Sequence, residues 1–166
     1  RGYVVASAEY RLNGEASFPA PYHDIQAAIR FLRSNAADYG INPEKFGVWG
    51  SSSGGQLAAL AAVTCGNDTL ERVTDQKDTV SACVNAAAIW NGVLDLKAME
   101  PAPKPSQNGH PRSRLLNCNP GYCTNYVLEA ASAYNYISAN SPPFFLAHSR
   151  SDEVVPVAQS EAFEQK

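Results

Sequence analysis

A serine between two glycines is the first feature of this sequence that could carry out chemistry. Residues 50–54 read GSSSG, and the G-x-S-x-G pattern fits them in one frame, with Ser52 at its centre. In this pattern a sharp turn from a strand into a helix exposes the serine hydroxyl, and the helix N-terminus offers amide donors to a developing oxyanion. We therefore predict that Ser52 is a nucleophile and that the backbone amide of Ser53 contributes to an oxyanion hole. The alternative interpretation is a tight turn without a chemical role.

A nucleophilic serine depends on a base and on a carboxylate that orients the base. We predict that Asp152 is this acid, because it follows the strand-like run 144–148 and open α/β sheets place their sites at the carboxyl ends of strands. Glu153 is the neighbouring alternative. Asp95 follows an earlier strand-like run, and we expect it to cap the segment after it.

None of the three histidines in the chain has a typical position for the base. His23 precedes the nucleophile, and His148 belongs to the run that leads to Asp152. His110 lies in a proline-rich segment and stays open as a base, because order along the chain does not determine distance in space.

The elements that must position these residues follow from the apolar pattern. Apolar runs alternate with amphipathic runs, which predicts strands and helices wound around a parallel sheet. The predicted strands are residues 4–6, 45–50, 82–90 and 144–148. Three helices are predicted. The first stops at Gly40 and has one apolar face, formed by Ile25, Ala28, Ile29, Leu32 and Ala36. The second is 54–63, and the last has Pro156 in its first turn and continues over 159–166. Residues 99–120 contain five prolines and predict an irregular excursion.

The composition excludes several classes of function. Hydrophobic residues make up 45% of the 166 residues and charged residues 17%, with a net charge of −3, which is typical of one soluble globular domain. No stripe of Lys and Arg is present for nucleic-acid binding, and no apolar run approaches the roughly 20 residues of a membrane helix.

The four cysteines bear on the compartment of the protein through the disulfides that they could form. Cys65 and Cys83 lie in apolar surroundings and are predicted to be small buried hydrophobic residues. Cys118 and Cys123 flank a polar loop, and two alternatives remain for them: a short disulfide or two free thiols. The disulfide would indicate an oxidising compartment, with the protein secreted or periplasmic.

Four segments of the chain carry a resemblance to a known family. They read YVVASAEYRL at 3–12, FPAPYHDIQAAIRFL at 18–32, GVWGSSSGGQLA at 47–58 and PPFFLAHSRSDEVVP at 142–156. In this order they resemble the central part of an α/β-hydrolase esterase, of the group related to hormone-sensitive lipase and to bacterial feruloyl or acetyl-xylan esterases. The resemblance implies that residues 1–166 belong to a single α/β-hydrolase domain, a three-layer sandwich with a mostly parallel sheet flanked by helices. It also implies Ser52 as nucleophile and Asp152 as triad acid.

The resemblance further implies that two parts of the site lie outside this chain. A His-Gly-Gly-Gly-type oxyanion loop is expected before Arg1, and a catalytic histidine after Lys166. We therefore expect the chain alone to be inert. Because outer strands of the sheet are expected to be missing, it should also be poorly soluble or self-associating.

The function that the resemblance implies is hydrolysis of a small-molecule carboxylic ester through an acyl-enzyme, without a metal or organic cofactor. A serine peptidase and an amidase remain alternatives on the same fold, and a non-catalytic binding module with that fold is an alternative of another class. Trp90, Tyr122 and Tyr126 are candidates for the walls of a substrate pocket, or ordinary packing residues.

Overall fold

Three parallel strands form the sheet that carries the predicted nucleophile. The computed structural model describes residues 2–12, 14–67, 70, 80–99, 116 and 124–166. The strands are β1 (Gly47–Ser51), β2 (Ala86–Trp90) and β3 (Phe144–Ala147), in the spatial order β1-β2-β3. Their register aligns Trp49 with Ala88 and Ala88 with Phe145. The carboxyl ends of all three strands therefore meet at one edge of the sheet.

Helices follow the strands as the alternating pattern predicts. They are α1 (Ala20–Ser34), α2 (Ser53–Val63), α3 (Asn125–Ala130) and α4 (Ala158–Glu164), with a 3₁₀ helix at Ala133–Tyr136. Every residue of α2 from 55 to 63 is buried, because α2 packs between α1 and the strands β1 and β2. Its composition of Ala, Leu and Gly allows that close approach.

The core lies on one face of the sheet. Leu57 and Leu60 of α2 pack there with Ile89 of β2, and Phe163 of α4 contacts Phe144 of β3 edge-on at 5.1 Å between ring centroids. A parallel sheet flanked by helices, the predicted fold class, is thus confirmed. Among the described residues, the helices seen to contact the sheet lie on this one face.

The opposite face of the sheet is apolar and open. Trp49, Trp90 and Phe145 are 66%, 45% and 63% exposed, and the two tryptophan rings meet edge-on at 5.3 Å. Within the described parts of the chain, no element covers these three side chains.

The predicted strand at 4–6 is wrong. Residues 2–12 contain no strand, and Tyr3, Val4 and Val5 are 89%, 61% and 82% exposed. A strand requires hydrogen bonds to a neighbour, and no described strand pairs with this segment.

The predicted strand at 82–90 begins later, at Ala86, and arginines of α1 bind carbonyls in the segment that precedes it. The Arg33 guanidinium donates to the carbonyls of Ser81 and Cys83, and Arg30 donates to the carbonyl of Val80. Residues 80–83 are thereby held against α1 rather than in the sheet ladder.

Two helix ends also differ from the predictions. Helix α1 ends at Ser34 rather than near Gly40, and the capping residue Asn35 donates to the carbonyl of Phe31 from both its backbone amide, at 3.0 Å, and its side-chain amide, at 2.7 Å. Helix α4 begins at Ala158, just after Pro156, and ends at Glu164 rather than continuing to 166.

Cys65 and Cys83 form a disulfide, and Cys65 is exposed while Cys83 is half-buried, so the prediction that both are small buried hydrophobic residues is wrong. The end of α2 places Cys65 beside the segment that enters β2, with 4.9 Å between the two Cα atoms, a separation that a disulfide can bridge. Cys118 and Cys123 lie outside the described residues, as does most of the excursion predicted at 99–120. Of the helices described, none is both long and apolar enough to cross a membrane.

Candidate active site

Ser52 lies in the turn between β1 and α2, in a backbone conformation that side chains rarely adopt. Its φ is 53° and its ψ is −123°. Such a conformation costs on the order of 1–3 kcal/mol and persists only where the surroundings enforce it. Here the amide of Ser52 donates to the carbonyl of Trp90 at 3.0 Å, and its carbonyl accepts from the amide of Gln56 at 3.0 Å. The turn is therefore held from β2 on one side and from α2 on the other.

Close backbone contacts exclude a Cβ at Gly50 and leave little room for one at Gly55. A Cβ at Gly50 would lie 2.2 Å from the carbonyl oxygen of Gly54, and a Cβ at Gly55 would lie 3.1 Å from the Cα of Gly92. A Cβ at Gly54 would have the hydroxyl of Tyr10 as its nearest neighbour, at 4.0 Å. The close approach expected from the motif therefore involves Gly50 and the neighbouring Gly55, while Gly54 has room for a methyl group.

The Ser52 side chain is exposed, and its hydroxyl makes no hydrogen bond to any described residue. The next residue, Ser53, begins α2, so its amide belongs to the unpaired donors of the first turn. An exposed hydroxyl beside such amides is the arrangement that acyl transfer at a serine requires.

Ser51 has a structural partner that sequence reasoning missed. Its hydroxyl donates to Oδ1 of Asn91 at 3.2 Å, and Asn91 has a φ of 41° directly after β2. The amide of Asn91 donates to the carbonyl of Ala147 at 2.8 Å. Asn91 thus connects the ends of all three strands; an asparagine directly after a strand-like run was the only signal for it in the sequence.

Asp152 lies in the turn after β3, with its two carboxylate oxygens in different surroundings. Oδ1 accepts from the amides of Val154 and Val155 at 2.8 and 2.9 Å. Oδ2 is 3.8 Å from Nε2 of His148, which is longer than a hydrogen bond. The side chain of Asp152 is 16% exposed, so Oδ2 is the oxygen left for another partner.

The two alternative acids have other surroundings. Asp95 Oδ1 accepts from the amides of Lys97 and Ala98 at 2.9 and 3.2 Å, which confirms the expected capping role. The side-chain amide of Gln159 also binds this loop, because it accepts from the amide of Asp95 at 2.7 Å and donates to the Asp95 carbonyl at 2.9 Å. Glu153 is exposed beside Asp152.

The structure brings the turns of Ser52 and Asp152 to the same edge of the sheet, since they follow the carboxyl ends of β1 and β3. No described histidine is hydrogen-bonded to Ser52. His23 binds the carbonyl of Leu70 at 2.9 Å, and His148 binds Ser160 and the Val155 carbonyl. His110 lies outside the described residues.

The candidate pocket aromatics are divided between two places. Tyr126, 75% exposed, lines a cavity of about 340 Å³ whose rim carries the ion pair of Lys97 and Glu129, 2.8 Å apart. The Trp90 side chain packs on Trp49 instead. Tyr122 lies outside the described residues.

Comparisons with known proteins agree with this architecture. The model of the family described as BD-FAE matches residues 1–166. Esterase LipQ of Mycobacterium tuberculosis is 36% identical over 173 residues, which cover 98% of this chain and 37% of LipQ. The chain thus spans little more than a third of that relative's length.

Two solved structures are also similar. A truncated form of a carbohydrate esterase from gut microbiota superposes with a TM-score of 0.82 at 31% identity, over 95% of this chain and 58% of that one. An acetyl ester-xyloside bifunctional hydrolase from Caldicellulosiruptor lactoaceticus gives a TM-score of 0.76 at 29% identity, over 95% of this chain and 53% of that one.

Proposed function

Because the chain belongs to the BD-FAE family and has the α/β-hydrolase fold, we propose that it is the part of a carboxylic ester hydrolase that holds the nucleophile and the acid. The observation that carries the proposal is the backbone of Ser52, with a φ of 53° at the entry to α2. A strained serine at a strand-to-helix turn has little structural use, whereas it exposes a hydroxyl beside helix amides.

In the proposed mechanism, Ser52 Oγ attacks the ester carbonyl while a base removes the hydroxyl proton. The amide of Ser53 donates to the oxyanion, and one such donor is worth about 3 kcal/mol in the transition state. The base then returns the proton to the leaving alcohol. In the second half of the reaction, water attacks the acyl-enzyme while the base removes its proton. The base then returns this proton to Ser52 Oγ as the acid product leaves.

Asp152 is proposed to orient the base through Oδ2. Its other oxygen is committed to two backbone amides, which hold the carboxylate at a definite angle.

The base itself is proposed to come from outside these residues. His23 and His148 are bound to other partners, and the chain covers 37% of LipQ. We propose that residues 1–166 are the central part of a longer α/β-hydrolase domain that also supplies the histidine and a second oxyanion donor.

The test is turnover of p-nitrophenyl acetate by the full-length protein encoded by the parent reading frame. Ser52→Ala should reduce turnover to the background rate, whereas the matched control Ser51→Ala should retain most of it. A fluorophosphonate probe should label Ser52 and no other residue in a peptide map. Equal losses in the two variants, or labelling elsewhere, would overturn the assignment.

The names of the similar structures suggest the substrate class to test. One is a carbohydrate esterase and one an acetyl ester-xyloside hydrolase, so we propose an acetylated sugar as substrate. A panel of acetylated xylose, p-nitrophenyl acetate and a p-nitroanilide distinguishes this function from the peptidase and amidase alternatives. Faster turnover of the anilide than of both esters would contradict it.

A further inference from the structure

His148 is a buried histidine that the proposed mechanism does not use. Its side chain is 3% exposed, and both ring nitrogens have partners. Nε2 lies 2.8 Å from the carbonyl oxygen of Val155, and Nδ1 lies 2.8 Å from Oγ of Ser160. Two such bonds on a buried ring hold its orientation and offer no site for a substrate.

The partners determine which nitrogen carries the proton. A carbonyl oxygen can only accept, so Nε2 must donate to Val155. In the neutral ring Nδ1 then accepts, and the hydroxyl of Ser160 donates to it. His148 lies at the start of the turn after β3. Its two hydrogen bonds therefore link this position to Val155, at the far end of the same turn, and to Ser160 in α4.

Val155 joins His148 to Asp152. Its carbonyl accepts from His148, and its amide donates to Oδ1 of Asp152 at 2.9 Å. The imidazole does not occupy the second carboxylate oxygen, since Nε2 and Oδ2 are 3.8 Å apart. The ring thus supports the turn that presents Asp152 and leaves Oδ2 available.

Helix α4 supplies the fixed end of this arrangement. Ser160 and the preceding Gln159 are both buried, at 7% and 5% exposure. Gln159 binds the backbone of Leu94 and Asp95 after β2, while Ser160 binds His148 after β3. One turn of α4 therefore anchors the loops that leave two neighbouring strands.

We propose that His148 is a positioning residue that holds Asp152 in place through the backbone of Val155. This inference rests on the proposed function, because it assigns a role in orienting the triad acid. His148 is then not one of the reacting groups, and its substitution should change turnover only by displacing Asp152.

The first test is kinetic, in the full-length protein. His148→Ala should lower kcat by about 10- to 100-fold, the loss expected when a supporting group is removed and a catalytic group shifts by about 1 Å, while KM changes little. His148→Gln keeps an N–H donor the same number of bonds from Cβ as Nε2 and should recover most of kcat. A His148→Ala variant with the kcat of the wild type would overturn the proposal.

The second test asks whether the effect passes through Asp152. In an Asp152→Asn background, His148→Ala should cause no further loss of kcat, because the residue that it positions no longer acts as the acid. If the double variant instead loses kcat by the product of the two single-variant factors, His148 acts by another route and the proposal is wrong.

The third test does not depend on activity. Hydrogen exchange at the amides of Val154 and Val155 should be at least about tenfold faster in His148→Ala and near the wild-type rate in His148→Gln. The amide of Gln56, bonded to Ser52, is the internal control. Unchanged exchange at both valines would overturn the proposal. If the wild-type protein lacks Ser52-dependent turnover, the proposed function fails, while this measurement still decides whether His148 supports the turn.

Discussion

The backbone amide of Ser52 donates to the carbonyl oxygen of Trp90 at 3.0 Å. This bond extends the β1–β2 ladder one residue past the end of β1, so the turn that exposes the Ser52 hydroxyl is part of the sheet. A serine held in this way keeps its position without help from its own side chain, and the hydroxyl remains available for chemistry.

Gly50→Ala should disable the turn. The added methyl group would lie 2.2 Å from the carbonyl of Gly54, so the backbone must move, at a cost of about 1–3 kcal/mol in unfolding free energy. We expect a lower Tm and loss of turnover in the full-length protein. Gly54→Ala is the matched control, since its nearest neighbour is 4.0 Å away. Equal damage by the two substitutions would contradict the geometry of the turn.

Asp152→Asn should lower kcat by roughly 10⁴-fold, because an amide no longer holds the base in the correct tautomer or stabilises its charged form. The measurement is steady-state turnover of p-nitrophenyl acetate. Glu153→Gln, one residue away and exposed, should retain most of the activity. The reverse order of effects would make Glu153 the acid.

Reduction of the Cys65–Cys83 disulfide should lower the unfolding free energy by about 3 kcal/mol, the value expected for closing a loop of this size. The two cysteines are 18 residues apart in the sequence. Urea titrations of the full-length protein with and without reductant measure the difference. A Cys65→Ser, Cys83→Ser double variant should match the reduced protein and should not respond to reductant. A wild-type midpoint that reductant leaves unchanged would contradict the prediction.

The ion pair of Arg11 and Asp24 should make stability depend on pH. The guanidinium donates to both carboxylate oxygens, at 2.7 and 2.8 Å, and these bonds hold the pKa of Asp24 below its ordinary value of 3.8. A lowered pKa in the folded state adds stability above the unfolded pKa and loses it as pH falls through the folded value. Asp24→Asn should therefore have a lower Tm than the wild type at neutral pH.

The difference in Tm between the wild type and Asp24→Asn should be small, since the pair is partly exposed, and should shrink at acidic pH. Thermal melts across that range test it, and added salt should reduce it as well. A difference that grows as the pH falls would show the opposite sign of coupling.

The amino-acid sequence by itself determined the elements on which the predicted nucleophile lies. Strand β1, the serine turn and helix α2 are contiguous in the sequence, so a short motif predicts them, although the carbonyl of Trp90 in β2 also holds the turn. Asp152 was predicted for a similar reason, because it follows directly on the apolar run of β3.

Tertiary structure decided what depends on partners distant in the sequence. The run at 4–6 has the composition of a strand but pairs with no described strand. The carbonyls of Val80, Ser81 and Cys83 bind arginines of α1, and β2 begins only at Ala86. The pairing of Cys65 with Cys83 and the contacts of His148 arise only when α2 and α4 pack against the sheet. Hydrogen bonds and disulfides require particular atoms within a few ångströms, and residue order alone does not specify those distances.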